Sequence, residues 1–286
     1  MSIVIKDMCH VYMPGTPFEA MALHDINLEI EQREFIGLIG HTGSGKSTLV
    51  QHINGLIAPS SGTIIVDGVD LTRKDADKRA VRRQVGLVFQ YPEHQLFEDT
   101  VEKDVAFGPS NLGVKGEERT ACVREAIEQV GLDFAQVRAR SPFELSGGQR
   151  RRVAIAGVLA MKPSFLILDE PTAGLDPRGR SEVLALVRRL HAQGIGIMMV
   201  THSMDDIARV ADRIIVMNQG TIAMSGTAAE VFARSSELEA MGLDIPDTVR
   251  IAHLLRARGL QVPDTLFDIE AMADCIAAQL GGKTHA

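Results

Sequence analysis

The sequence predicts an α/β protein whose sheet is largely parallel and covered by helices on both faces. Continuous apolar runs of strand length recur at residues 165–168, 195–200 and 213–217. Helical segments separate them, and runs without polar alternation mark strands buried on both sides. A glycine-rich turn at residues 40–45 also joins an apolar strand to the start of a helix.

The early chain reads as β structure. Residues 3–8 make a first strand, Ile26, Leu28 and Ile30 alternate with polar residues in a second, and 34–39 make a third. The stretch 13–19, with Pro14, Gly15 and Pro17, is irregular. A helix is expected from Lys46 to about Asn54, closed by Gly55. Residues 63–66 and 84–89 read as further strands. Between 91 and 161 the pattern turns helical. Ala121, Val123, Ala126, Ile127 and Val130 recur at helical spacing over 117–130, and Gly131 ends that helix. Later, Asp176-Pro177 caps a helix carrying Val183, Leu184, Val187 and Leu190. A hairpin turn at Asn218-Gln219-Gly220 ends the core. Beyond about Gly226 come short helices, one capped by Asp247 and ended by Gly259.

At 286 residues the chain holds one large domain, or a domain of about 220 residues with a small appendage. The net charge of −7 argues against a nucleic-acid binder that works by overall basicity. Two basic clusters, 73–83 and Arg150-Arg151-Arg152, read as solvated or helix-capping charge. Cys9, Cys122 and Cys275 match no metal spacing, so partly buried thiols in a reducing compartment are expected. No apolar run approaches the ~18–20 residues that span a bilayer, and residues 1–7 lack signal-peptide architecture. Any membrane role is expected from outside the lipid.

Gly40-His41-Thr42-Gly43-Ser44-Gly45-Lys46-Ser47 fits the phosphate-loop spacing G-x-x-x-x-G-K-[ST]. Glycines let backbone N–H groups turn inward around phosphate oxygens, and the helix N-terminus adds partial positive charge. Lys46 is expected to reach the β- and γ-phosphates, Ser47 to give a hydroxyl to Mg²⁺, and Thr48 to add an α-phosphate contact. The strand at 165–168 delivers Asp169 to the sheet edge, where a carboxylate can hold a water of the Mg²⁺ shell. Glu170 follows, in place to orient the attacking water or accept its proton. Leu145-Ser146-Gly147-Gly148-Gln149, before a helix, is a second Ser/Gly loop suited to anions. A helix cap with nothing bound is its alternative.

Together the 40–47 loop, Gln90 after a strand, 145–149, 168–171, Gly174-Leu175-Asp176 and His202 occur in the order of an ABC ATPase. Over about residues 1–225 the chain resembles that family. The resemblance implies a P-loop NTPase fold with a RecA-like core sheet and an N-terminal antiparallel β subdomain. It also implies a helical signature subdomain at about 91–161 and a small helical extension at 226–286 that makes a dimer contact; packing of the extension on its own chain is the alternative. ATP and Mg²⁺ are the implied ligands, and the implied site is composite: two ATPase domains face each other, each signature loop closing on the other's nucleotide. Carried over by position, Ser146, Gly147, Gly148 and Gln149 would serve the partner's ATP. Gln90 would touch Mg²⁺ and the attacking water and relay contact from a membrane subunit. Asp176 would act across the dimer, and His202 would hold the γ-phosphate; a buried structural histidine is its alternative. Tyr12 matches the aromatic on which adenine stacks, its alternative being a packed aromatic on an edge strand.

Two segments narrow the resemblance. Val88-Phe89-Gln90-Tyr91-Pro92-Glu93-His94-Gln95-Leu96-Phe97, then Thr100-Val101 and 105–109, is similar to the ATPases of energy-coupling-factor transporters, which drive uptake of vitamins and transition-metal ions. Residues 12–19 with Ala22-Leu23 are similar to one of the two ATPase types of that group, and 246–259 to its C-terminal extension. The implied partners are a second ATPase chain, a transmembrane coupling subunit and a substrate-capture membrane subunit, with no nucleic acid. The implied location is peripheral, on the cytoplasmic face of the cell membrane. A groove after Gln90 would receive helices of the coupling subunit. Tyr91, Leu96 and Phe97 are either its apolar contacts or core of the helical subdomain. One rival is the ATPase of a conventional ABC importer or exporter, with the same chemistry. Another is a soluble ABC protein acting on DNA or ribosomes, which would carry long coiled coils between its motifs or two ATPase domains. Here about 120 residues separate Lys46 from Asp169, and one phosphate loop is present.

Overall fold

The structure is a computed structural model that describes residues 1–280. Its strands are β1 (Ile3–Tyr12), β2 (Ala20–Ile30), β3 (Phe35–Gly40), β4 (Ser61–Val66), β5 (Val69–Asp70), β6 (Val85–Val88), β7 (Phe165–Asp169), β8 (Gly196–Val200), β9 (Arg213–Asn218) and β10 (Thr221–Gly226). Its helices are α1 (Lys46–Ile53), α2 (Lys78–Gln84), α3 (Val101–Asn111), α4 (Gly116–Gln129), α5 (Phe134–Val137), α6 (Gly147–Leu159), α7 (Pro177–Ala192), α8 (Met204–Val210), α9 (Ala228–Phe232), α10 (Ser235–Ala240), α11 (Asp247–Arg256) and α12 (Ile269–Gln279).

The six-stranded sheet runs β10-β9-β3-β8-β7-β6 and is parallel except for β10 on β9. All six residues of β3 are buried. Successive residues point to opposite faces, as pleating requires. Phe35, Ile39, Leu166, Leu168 and Met199 enter a core shared with α3, α4, α6, α7 and α8. Ile36, Leu38, Ile167, Met198 and Val200 enter a second core shared with α1 and the four-stranded antiparallel sheet β2-β1-β4-β5. Each such Leu, Ile or Phe contributes about 1.5–3 kcal/mol by leaving water. The expected sheet with two covered faces and an N-terminal antiparallel layer is what forms.

Parallel register fixes where the chemistry collects. Leu38 pairs with Val200, Val200 with Asp169, and Leu168 with Val88. Gly40, Gln90, Glu170 and His202 follow these rungs by one or two residues. All therefore emerge at the carboxyl end of the sheet, where open α/β folds bind ligands.

Several local expectations are corrected. A helix, α2, occupies part of the basic 73–83 cluster. Asp77 caps it by accepting from the Arg79 and Ala80 amides, and Arg82 and Arg83 sit in its last turn. Arg82 donates to the Gly55 carbonyl at the end of α1. Asp247 is not the cap of α11 but its first residue, with Pro246 before it. Ala121, expected on the buried side of α4, is exposed, because Val123, Ala126 and Ile127 already fill that face. The cysteines are partly buried, as expected.

Beyond β10 the chain packs back on its own domain. Val231, Phe232, Leu238, Leu243, Ile245 and Val249 join the larger core, whereas Ala252, Val262 and Met272 make a small separate cluster. The Asp247 amide donates to Asp205 on α8, and Arg209 donates to the Phe267 carbonyl. Among the described residues no helix is long and apolar enough to cross a membrane.

Candidate nucleotide-binding site

The 40–45 loop leaves β3 and enters α1. Gly43 and Gly45 have φ of +82° and +102°, which cost a β-carbon residue strain. A β-carbon on Gly45 would also lie 2.6 Å from Leu23 and 2.9 Å from the Ala22 carbonyl. Gly45 precedes α1 without a side-chain cap, and the first turn holds no acidic residue. The first amides of α1 are therefore available to an anion. The loop is braced from behind: the Gly220 amide donates to Ser44 O, and His41 Nε2 lies 3.1 Å from Asn218 Oδ1. Asn218 belongs to the β9–β10 turn, a bracing role that the turn motif in the sequence did not reveal.

The Lys46 ammonium bridges the loop, donating to the Gly40 and His41 carbonyls at 2.7 and 3.0 Å. Burial pulls it below the ordinary lysine range, and Glu170 and Asp169 pull it back up. Burial likewise pushes the Asp169 carboxyl up. The Glu170 charge adds to that rise, whereas Lys46 and a hydrogen bond from the Ser47 hydroxyl oppose it. One cation, two carboxylates and a hydroxyl thus share one electrostatic cluster. Glu170 takes a left-handed φ of +50°, and its amide donates to the Val200 carbonyl. His202 Nδ1 lies 2.9 Å from Glu170 Oε1. The His202 side chain is 78% exposed, so it is not the buried structural histidine of the alternative reading.

Tyr12 ends β1, with its ring 40% exposed and its hydroxyl 3.2 Å from Thr48 Oγ1. The ring sits edge-on to His10, which sits edge-on to His52 of α1. β1 lies between β2 and β4, so the edge-strand alternative is corrected. Thr48, expected at an α-phosphate, is buried, with its hydroxyl engaged by Tyr12.

The remaining motif residues are held by local structure. Ser146 caps α6, accepting from the Gln149 amide while Gln149 Oε1 accepts from the Ser146 amide. Gly147 and Gly148 have open space where a β-carbon would stand. Asp176 caps α7 through the Gly179 amide, and Gln90 is exposed just beyond β6.

Arg151 contradicts the reading of the 150–152 run as surface charge. It is 1% exposed and makes a bidentate pair with Glu93. Charge buried this way persists only when paired. Next to Gln90, a groove of about 610 Å³ is lined by Arg83, Phe89, Phe97, Phe107 and Met161 among others. Phe97 lines it in the open, Leu96 is core, and exposed Tyr91 stacks on His94.

Comparison with known proteins identifies the family. The ABC transporter family model matches residues 23–173. The energy-coupling factor transporter ATP-binding protein EcfA2 of Clostridium perfringens is 54% identical, over 96% of this chain and 97% of its own. Its namesake from Symbiobacterium thermophilum is 53% identical over 100% and 99%. Among solved structures, cbiO1 from Clostridium perfringens, part of the ABC transporter complex cbiONQ, superposes with a TM-score of 0.73 at 38% identity. That match covers 89% of this chain and 98% of cbiO1. A dimeric ATP-binding cassette bound to ADP and Pi gives 0.70 at 30%, covering 79% and 98%. The chain belongs to the ABC transporter family, as an ATPase most like the ATP-binding subunits of energy-coupling-factor transporters.

Proposed function

We propose that the chain is the ATP-binding and ATP-hydrolysing subunit of an energy-coupling-factor transporter, powering uptake of a vitamin or transition-metal ion through membrane partners. The observation that carries this reading is a division of phosphate-binding groups. Lys46, Asp169 and Glu170 act on one another electrostatically, whereas among the described residues the Ser146 and Gln149 side chains bond only each other's backbone amides, in front of two unobstructed glycines. A second ATPase chain is the natural recipient of that free loop.

In the proposed mechanism the loop amides and the start of α1 cradle the phosphates, and Lys46 exchanges two carbonyl bonds for phosphate oxygens. Adenine stacks on Tyr12, which Thr48 holds. The Ser47 hydroxyl and the Asp169 carboxylate are the hard oxygen donors that suit Mg²⁺ and would hold it, with Gln90 as a further ligand. Bound there, Mg²⁺ supplies charge neutralisation at the phosphates. Glu170 orients the attacking water and takes its proton. With Nδ1 turned to Glu170, His202 keeps Nε2 for the γ-phosphate. Ser146 to Gln149 reach the partner's nucleotide when the two ATPases close, with Asp176 at that interface. Closure excludes bulk water, and hydrolysis, which consumes one water, reopens the dimer.

The apolar groove beside Gln90 takes a helix of the transmembrane coupling subunit, which holds this chain on the cytoplasmic face of the membrane. The extension after residue 226 adds to the ATPase dimer, with Ile251 and Leu254 exposed on α11. Purification of the tagged chain from native membranes in mild detergent tests the assignment. Recovery with a different ATPase chain and two kinds of small membrane protein is expected. Recovery with a binding-protein-dependent permease, ribosomes or DNA overturns it.

A further inference from the structure

Arg151 gathers three segments that the chain delivers separately. It lies in the first turns of α6, behind the Ser146 cap. Nε and Nη2 hold Glu93 at 2.9 and 2.7 Å, three residues beyond Gln90. Nη1 donates to the carbonyls of Pro171 at 3.0 Å and Ala173 at 2.8 Å, immediately beyond Glu170. Four of the five guanidinium donors are thereby used. The pair is well enclosed, with the side chains 2% and 13% exposed, and Arg151 holds the Glu93 carboxyl below the ordinary range against the upward push of burial.

The segments that Arg151 holds each begin at a strained residue. Tyr91 has φ +52° and Glu170 has φ +50°, both left-handed and neither glycine. Such residues cost on the order of 1–2 kcal/mol and persist only when their surroundings over-determine them. Tyr91 also precedes Pro92, a position that disfavours helical backbone. Downstream of each strained residue the chain reaches the same guanidinium: Glu93 lies two residues beyond Tyr91, and Pro171 and Ala173 lie one and three beyond Glu170. The 91 turn is closed locally by the His94 amide on the Tyr91 carbonyl. The 170 turn is closed locally by the Ala173 amide on the Glu170 carbonyl, and Arg151 takes the Ala173 carbonyl itself.

We propose that Arg151 is a positioning residue for hydrolysis: with Glu93, it ties the Gln90 and Glu170 segments to the signature helix and so fixes where Gln90 and Glu170 stand. The proposal rests on Gln90 and Glu170 acting as described under the proposed function. A lysine cannot replace this tie, because one ammonium lacks the planar fork that binds a carboxylate and two carbonyls together. Misplacement of a reacting group by about 1 Å costs up to about 100-fold in rate.

The test uses the assembled complex, with wild-type, Arg151→Gln, Arg151→Lys, Glu93→Gln, the double variant and Glu170→Gln, each normalised to ATP-binding sites by titration. Arg151→Gln is expected to lower kcat about 10-fold or more with the ATP Kd within about threefold. Arg151→Lys recovers little of that loss. Glu93→Gln keeps the carbonyl bonds and loses less, and the double variant is no worse than Arg151→Gln alone, the non-additivity of one unit. A role in stability alone would lower Tm and leave kcat per site unchanged, and wild-type kcat in Arg151→Gln and Glu93→Gln overturns the proposal. Where Arg151→Gln does not fold, Glu93→Gln decides by the same measurement. Wild-type turnover in Glu170→Gln marks failure of the underlying reading instead.

Discussion

The imidazole of His202 and the carboxylate of Glu170 are hydrogen-bonded at 2.9 Å, across the carboxyl ends of neighbouring strands β8 and β7. This contact joins the group read as general base to the group read as γ-phosphate ligand. Glu170→Gln preserves the shape and removes the proton acceptor. Turnover is expected to fall by about 10²–10⁴-fold, the usual contribution of a general base, with ATP binding intact. His202→Ala should lower turnover by a smaller factor, about 10-fold or more, through loss of a charge-assisted bond. Phosphate release by the assembled complex, beside nucleotide titration, checks both. Unchanged turnover in Glu170→Gln removes Glu170 from the mechanism.

Lys46→Ala acts earlier in the cycle. It deletes the cation between loop and carboxylates, and hydrogen bonds to charged groups are worth about 1.5–3 kcal/mol. ATP affinity should therefore fall by about 10- to 100-fold, measured by equilibrium titration of the purified chain. The Asp169 carboxyl should also rise further, since Lys46 is one of the groups holding it down. A wild-type ATP affinity contradicts a phosphate role for Lys46.

The parallel sheet was legible because its strands are apolar on both faces, a pattern that neither surface helices nor half-exposed strands share. The phosphate loop was legible because glycine spacing there reports backbone conformation directly. Arg151 was not. Within a run of three arginines nothing distinguishes the member whose partner lies 58 residues upstream, and its other acceptors are carbonyls, which any residue supplies. The helix α2 was hidden similarly. Its short length and many basic residues mask the single buried side chain, Val81, although Asp77 is a readable cap. The free state of 146–149 follows from tertiary placement, whereas its Ser-x-x-Gln capping box is local and readable.

The paired histidines behind Tyr12 give stability a pH dependence. Burial, with His10 adding to it, pulls His52 from 6.5 down to about 4, and burial also lowers His10. Between these pH values the unfolded chain binds more protons than the folded one, so stability falls as pH drops from about 6.5 towards 4. His52 alone implies a loss on the order of 2 kcal/mol by pH 5 relative to pH 7.5. For a chain of this size that is about 4–8 °C in Tm. Among the described residues neither ring nitrogen of His52 has a hydrogen-bond partner, so His52→Leu should flatten the decline at little cost at neutral pH. Thermal melts at pH 7.5 and 5.0 decide. A decline unchanged in His52→Leu assigns it to other groups.

If the groove beside Gln90 is the docking surface proposed above, substitutions there separate catalysis from coupling. Phe97 and Phe107 meet edge to face at 5.0 Å, yet remain 58% and 48% exposed. Aromatic rings left half in water contribute little to the fold, but would contribute fully once a partner helix covers them. Phe107→Ala should therefore leave Tm and ATP affinity of the isolated chain nearly unchanged. Its retention by the membrane subunits should drop by about 10-fold or more, as for a buried aromatic anchor worth about 2 kcal/mol. Ala106 on the same helix is buried in the core, so a bulky substitution there should lower Tm as well, giving a contrast within one turn. Binding of each variant to the detergent-solubilised membrane module, measured beside its thermal melt, separates the two effects. Full retention of Phe107→Ala places the docking surface elsewhere on the molecule.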